Sequence, residues 1–216
     1  MKYRAAIFDL DGTLLDTLTD LSQAANHALT AVGRPTYSRD AYRTLVGQGV
    51  RNLFIDALGP AHQSLLEGAI TAFHAYYADH RFDTTAPYPG IVAMLDRLSA
   101  EQALLGVLSN KPHEATVDVV TRFFGSLTWT ALRGHIQGTP PKPDPASAMQ
   151  TLAQMRVEPD QCVYVGDTRV DMLTGKAAGM FTVGVSWGFR SVQELRESGA
   201  DVIIDEPAEL IRLMGT

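Results

Sequence analysis

The sequence predicts an α/β fold in which a parallel sheet carries helices on both faces and a block of helices follows the first strand. Three observations predict it. Ala5-Ala6-Ile7-Phe8 is a continuous apolar run that stops at Asp9, the pattern of a strand buried on both faces. From residue 91 onward, apolar runs of strand length alternate with helical periodicity, as successive βα units do. Between the two, residues 17–81 keep helical spacing and contain no convincing strand. The expected division is a core made of 1–16 and 82–216, with 17–81 inserted as a helical unit.

Taken in order, the chain justifies each element. At the end of the first strand, Asp9 and Asp11 stand two residues apart, so in extended geometry their side chains lean to the same side. Gly12 permits a sharp departure that leaves both at the carboxyl edge of the sheet, where open α/β sheets bind ligands. A solvated strand end followed by an Asp-Gly turn is the plain alternative. Leu18, Leu21, Ala25, Leu29 and Val32 then share one helical face, ended by Gly33 and Pro35. Ser38 can cap a short helix with Tyr42, Leu45 and Val46 inward. Gly47-Gln48-Gly49 interrupts it, and Val50, Leu53, Phe54, Ala57 and Leu58 resume the spacing as far as Gly59-Pro60. Leu65, Leu66, Ala69, Ile70, Phe73, Tyr76 and Tyr77 make the stripe of a fourth helix, read as core.

Pro87-Tyr88-Pro89-Gly90 breaks this pattern. Helices are then expected over 91–101, 114–124, 146–155, 170–178, 192–197 and 208–214. Strands are expected over 104–108, near 129–132, and over 162–165, 181–185 and 202–204. The chain shows no internal repeat and no low-complexity tract.

Composition narrows the function. With 216 residues, 45% hydrophobic and 19% charged, this is an ordinary globular chain able to bury a sizeable core. A net charge of −6 with no basic run argues against a nucleic-acid or anionic-membrane partner. Local cations must therefore attract any phosphorylated substrate. The single cysteine, Cys162, has no internal disulfide partner and reads as small core filler in a strand. The absence of a signal peptide, and of any apolar run near the ~18 residues of a spanning helix, makes the cytoplasm the expected compartment. Nothing in the pattern fixes the oligomeric state.

Three later strand ends carry related chemistry. Ser109-Asn110 offers a hydroxyl and an amide, Lys142 lies in a stiff run of four prolines, and Asp167 with Asp171 supplies two more carboxylates where a strand meets a helix. Singly, each reads as a helix cap, a loop charge or a first-turn acid. Together, Asp9, Asp11 and Asp167 would crowd one sheet edge and repel each other unless a hard divalent cation sat between them. Lys142 and Ser109 would then donate to an anion beside it. The free amides of Gly47-Gln48-Gly49, ahead of the helix starting near Val50, could form an anion site with Arg51 close by; a glycine hinge with Arg51 solvated is equally consistent.

Asp9-x-Asp11-Gly12-Thr13, Ser109-Asn110, Lys142 and Gly166-Asp167-Thr168-x-x-Asp171 resemble, in order, the four motifs of the haloacid dehalogenase superfamily. The helical insertion resembles that superfamily's C1-type cap over a Rossmann-like core. Ser109-Asn110-Lys111-Pro112, Lys142-Pro143-Asp144-Pro145 and Val185-Ser186-Trp187-Gly188-Phe189-Arg190 look like its phosphoglycolate phosphatase branch. The resemblance implies a Mg²⁺-dependent phosphatase acting on a small phosphorylated metabolite, with 2-phosphoglycolate foremost. It implies Asp9 as nucleophile and Asp11 as acid and base. The carboxylates of Asp9 and Asp167 and the main-chain carbonyl of Asp11 would hold Mg²⁺. Ser109, the Asn110 main chain and Lys142 would hold the phosphoryl group, Thr13 would orient Asp9, and Asp171 would steady Lys142 or a metal-bound water.

Other readings compete. A phosphosugar mutase would use the same aspartyl-phosphate, but it needs a cationic set in the helical unit, in whose loop only Arg51 stands out. A dehalogenase has little use for Asp11 or Asp167. A phospho-acceptor signalling or binding protein could use the same carboxylates and lysine, but has no reason for an added helical unit. His113 reads as an incidental surface residue.

Overall fold

The structure, a computed structural model, describes residues 2–215. Its elements along the chain are β1 (Ala5–Phe8), β2 (Leu15–Asp16), α1 (Leu18–Ala31), α2 (Tyr42–Leu45), α3 (Val50–Leu58), α4 (Leu66–His80), β3 (Ala86–Pro87), α5 (Ile91–Ala100), β4 (Leu104–Pro112), α6 (His113–Phe124), β5 (Ala131–His135), α7 (Ala146–Met155), β6 (Cys162–Gly166), α8 (Arg169–Ala177), β7 (Phe181–Val185), α9 (Val192–Glu197), β8 (Val202–Ile204) and α10 (Ala208–Gly215). They form two compact units, Met1–Leu15 with Pro87–Thr216, and Asp16–Ala86.

The first unit is built on a six-stranded sheet of order β5-β4-β1-β6-β7-β8 in which every paired neighbour is parallel. Every residue of β1 is 0% exposed, as a strand covered on both faces must be. Ala5 and Ile7 join Leu108, Ala131, Cys162 and Tyr164 in a cluster with Ala148, Leu152 and Met155 of α7. The alternate residues Ala6, Phe8, Val107, Val163 and Val165 point to the other face and are buried too. Full burial of side chains such as Ile7 and Phe8 stabilises by roughly 1.5–3 kcal/mol each. The chain leaves β1 for neighbours on one side and later builds outward on the other, which opens a crevice at the carboxyl ends of β4, β1 and β6.

Two strands lie away from their expected places. β5 begins at Ala131, because Trp129 instead serves the end of α6, its indole donating to the Phe124 carbonyl at 3.3 Å and its ring packing on Phe124. β4 continues to Pro112, with irregular pairing after Leu108. There the Leu108 carbonyl accepts from the Lys142 ammonium at 3.0 Å. β2 and β3 pair as a two-residue ribbon, too short for any periodicity to announce.

The second unit packs α1 and α4 against each other with α3 alongside. Phe73 of α4 meets Phe54 of α3 edge-on and stacks on Tyr77. The fourth helical stripe divides at Leu66, residues Pro60–Leu65 forming a 3₁₀ turn. This unit extends to Ala86 rather than 81, and buried Asp20 explains why. In the first turn of α1, its carboxylate accepts from all four donors of Thr84 and Thr85, two amides and two hydroxyls.

Asp20→Ala strips that segment of its acceptor and should cost about 2–4 kcal/mol. Thermal denaturation should show a melting temperature lower by roughly 4–16 °C. An unchanged value would mean that other contacts hold residues 84–85.

Candidate active site

Register brings the chemistry together. Phe8 is level with Val107 on one side and Val165 on the other, so Asp9, Ser109 and Asp167 all emerge just past the same edge. The Asp9 amide continues the ladder to the Val165 carbonyl at 2.9 Å. Gly12 then turns the chain with φ of 92° at a point where a Cβ would sit 2.3 Å from Asp167 Oδ2. Only glycine satisfies both demands. The turn delivers the Thr13 hydroxyl to Asp167, donating to Oδ1 at 3.0 Å. Thr13 was expected to orient Asp9; the direction the chain takes after Gly12 gives its hydroxyl to the other acid.

Lys142 is the cation at the centre, with a side chain 2% exposed. Its ammonium donates to Asp9 Oδ1 at 2.8 Å, to Asp171 Oδ1 at 2.7 Å and to the Leu108 carbonyl. Burial opposes its charge, but the carboxylates of Asp171 and Asp9 outweigh that and hold its pKa well above the ordinary value. The Asn110 side chain fixes the loop that presents it, accepting from the Lys142 amide at 2.8 Å and donating to the Lys142 carbonyl at 3.1 Å. The sequence suggested a task for the Asn110 main chain and gave no sign of this bracket. Of the two tasks expected for Asp171, the structure displays the grip on Lys142. Its other oxygen accepts from the Thr168 amide and hydroxyl, in a capping box that starts α8.

Asp167 is fully buried, its second oxygen accepting from the Phe189 amide at 2.7 Å. Gly188 makes that approach possible, since a Cβ there would fall 2.1 Å from Asp167 Cβ. Trp187 closes the same loop over the first, its indole donating to the Thr13 carbonyl at 3.0 Å. Burial, then the charges of Asp171 and Asp9, push the Asp167 pKa well up. Asp9 is raised to about 7, chiefly by burial, with Lys142 pulling the other way.

One carboxylate oxygen from each of Asp9, Asp167 and Asp171 lies within 4.8 Å of the others. With all three carboxylates ionised, one ammonium leaves two negative charges uncancelled in a low-dielectric site, and the raised pKa values of Asp9 and Asp167 express that excess. A divalent cation that takes oxygen ligands fits that deficit. Asp171 is turned to the Lys142 ammonium and to the Thr168 cap, whereas Asp9 and Asp167 stand at the ends of β1 and β6 and are the side chains that would hold it.

Ser109 accepts at Oγ from the Lys111 amide at 3.2 Å. Lys111 itself was passed over in the sequence reading, yet its ammonium lies 3.0 Å from each oxygen of Asp11. The available signals were its place two residues beyond Ser109 and its presence in the stretch Ser109-Asn110-Lys111-Pro112. His113 is structural, its Nδ1 accepting from the Gly134 amide. Gly47, Gln48, Gly49 and Arg51 belong to the second unit. There Gly49 precedes α3, Gln48 accepts from the Asn52 side chain, and Arg51 pairs with Glu67 at 2.6 Å with both side chains largely exposed.

Comparison with known proteins agrees with this geometry. The family profile described as haloacid dehalogenase-like hydrolase matches residues 6–185. The chain is 31% identical over 223 residues to the phosphoglycolate phosphatase of Psychrobacter arcticus, covering 98% of this chain and 95% of that one. It is 30% identical over 216 residues to the N-acetylmuramic acid 6-phosphate phosphatase of Pseudomonas aeruginosa, covering 99% and 96%. A crystal structure of a candidate phosphoglycolate phosphatase from Lactobacillus delbrueckii superposes with a TM-score of 0.94 at 34% identity, over 100% of both chains. Among the described residues no helix is long and apolar enough to cross a membrane.

Filling the charge deficit should stabilise the fold. Mg²⁺ at ~100 times its dissociation constant should add about 2.7 kcal/mol, a rise of roughly 5–11 °C in melting temperature. Chelation should reverse the rise and Asp167→Ala should abolish it. A melting temperature indifferent to both Mg²⁺ and chelator would remove the cluster as a cation site.

Proposed function

The chain belongs to the haloacid dehalogenase-like hydrolases, and from that membership we propose a Mg²⁺-dependent phosphatase that hydrolyses a small phosphomonoester through an aspartyl-phosphate. The observation that carries the reading is Asp9. It is a buried carboxylate at the tip of the central strand, bonded to Lys142 and followed two residues later by a second acid. A carboxylate so placed is a nucleophile for phosphorus. Its attack expels the alcohol, whose oxygen takes a proton from Asp11. Asp11, now a carboxylate, takes a proton from the water that attacks the phosphorus, which releases phosphate and restores Asp9. Ser109, the Asn110 amide, Thr13 and Lys142 are the groups proposed around the phosphoryl oxygens, with Asp171 holding Lys142 in place. Asp9, Asp167 and the Asp11 carbonyl are the proposed ligands of Mg²⁺, whose charge would offset that of the carboxylates and the phosphoryl group.

The two units are read as catalytic core and cap. 2-Phosphoglycolate is the substrate proposed first, because it is named in the relatives at 30–31% identity over nearly the whole chain. The muramic acid ester named in another relative is likewise a phosphomonoester bearing a carboxylate. Gly47, Gln48, Gly49 and Arg51 are proposed to tune selectivity from the cap. Cys162, free and buried, imposes no need for an oxidising compartment, and the cytoplasm is the location proposed.

A panel of phosphate esters assayed for kcat/KM with Mg²⁺ tests the function. Asp9→Asn should abolish turnover with an unchanged circular dichroism spectrum. Retention of a tenth of wild-type kcat would mean that phosphorus is attacked by another group.

Asp11→Asn should lower kcat on the order of 10²–10⁴-fold for alkyl esters, which need a proton on the leaving oxygen. Aryl phosphates should lose less at the first step, which a pre-steady-state burst of phenol would report. A small, equal loss on both ester classes would take Asp11 out of acid and base chemistry.

A further inference from the structure

Lys111 has no task in the phosphatase scheme, yet it is built into the same strand end. Its side chain is 5% exposed, against 17% for Asp11, and its ammonium stands 3.0 Å from both carboxylate oxygens. Its backbone is locked. The amide donates to Ser109 Oγ, the carbonyl accepts from Thr116 Oγ1 at 3.2 Å, and a Cβ on neighbouring Gly134 would lie 2.5 Å from that carbonyl. Any adjustment must therefore come from the side chain alone.

Two features of this pair call for a ligand. Burying an ammonium is costly, and a lysine needed only to balance Asp11 could do so from the surface at little cost. Asp11, meanwhile, has both oxygens turned to one cation, so it reaches a leaving-group oxygen only when that pairing opens. A second anionic group on the substrate would take the ammonium and release the acid in one exchange.

We propose that Lys111 is the subsite for a carboxylate carried next to the phosphoester, its ammonium exchanging from Asp11 to that carboxylate when the substrate binds. The assignment rests on the phosphatase reading. Its geometry matches a short substrate: in a 2-phospho carboxylic acid, one carbon separates the ester oxygen from the carboxylate. The group that protonates the one and the group that binds the other must then be neighbours, as Asp11 and Lys111 are. Lys111 thus reads the acid end of the substrate from within the core unit.

The test compares 2-phosphoglycolate with its carboxamide, which has the same shape and lacks the charge, in wild type, Lys111→Met and Lys111→Arg. Wild type should prefer the acid. Lys111→Met should lower kcat/KM for the acid roughly 10- to 100-fold, the worth of one charge-assisted hydrogen bond, largely through KM. It should lower kcat/KM for the amide only a few-fold, and Lys111→Arg should restore much of the preference. Equal losses on both esters would overturn the assignment while leaving the phosphatase intact. Should Lys111→Met not fold, a wild-type preference under about threefold would overturn it without any variant, since the lost contact is worth at least tenfold. A wild type inactive on every phosphomonoester would instead sink the phosphatase reading and the assignment with it.

Discussion

Lys142 carries a positive charge that solvent barely reaches, and its contacts to Asp9, Asp171 and the Leu108 carbonyl are what make that burial tolerable. The dependence runs both ways. Asp9 is itself buried, and without the ammonium it would be driven further toward its neutral form. A nucleophile must be a carboxylate, so the grip of Lys142 on Asp9 bears directly on whether phosphorus can be attacked. One ammonium does not balance these acids: Asp167 is buried beside them, and burial together with the charges of Asp171 and Asp9 pushes its pKa well up. That excess is why the site suits a divalent cation better than any further hydrogen bond.

Most of the remaining architecture keeps these charges at fixed separations. Asn110 brackets the Lys142 peptide from β4, the Thr168 capping box holds the far oxygen of Asp171, and Thr13 with the Phe189 amide holds both oxygens of Asp167. The restraints come from separate places: Asn110 from β4, Thr13 and Thr168 from the turns after β1 and β6, and the Phe189 amide from the segment after β7. Gly12 and Gly188 contribute by absence. A side chain at either would occupy the space in which Asp167 sits. A strand end that first looks like a run of polar loop residues is in fact close-packed, with polar groups in place of apolar ones.

The second unit is held together by different means. Its helices rest on aromatic contacts between α3 and α4, and its entry and exit segments are tied by Asp20 to Thr84 and Thr85. Segments 16–20 and 84–86 therefore belong to one rigid end of that unit. Arg51, the cation that stood out in the sequence, is spent on Glu67 at the surface. Lys111, which did not stand out, is buried against the acid proposed for proton transfer. Exposure separates the two: a surface arginine pair is worth little, whereas an ammonium beneath the surface must have a partner or a purpose.

Hydrophobic periodicity is a local property, and what it predicts here it predicts closely. The limits of α7, β7, α9 and β8 coincide with the spacing read along the chain, and the uninterrupted apolar run of β1 announced a central strand. The motif acids were legible as well, because strand ends carry them in recognisable order. Pairing was not. Thr13 finds Asp167 across 154 residues and Lys111 finds Asp11 across 100, and neither contact leaves a trace in its own neighbourhood. The same holds for the Asn110 bracket and for the bond from Trp187 to Thr13. Sequence alone determined which residues stand at the ends of which strands. The register of the parallel sheet and the turns forced by glycine decided which of them touch, because a hydrogen bond depends on ångström-scale placement that only the closed tertiary fold supplies.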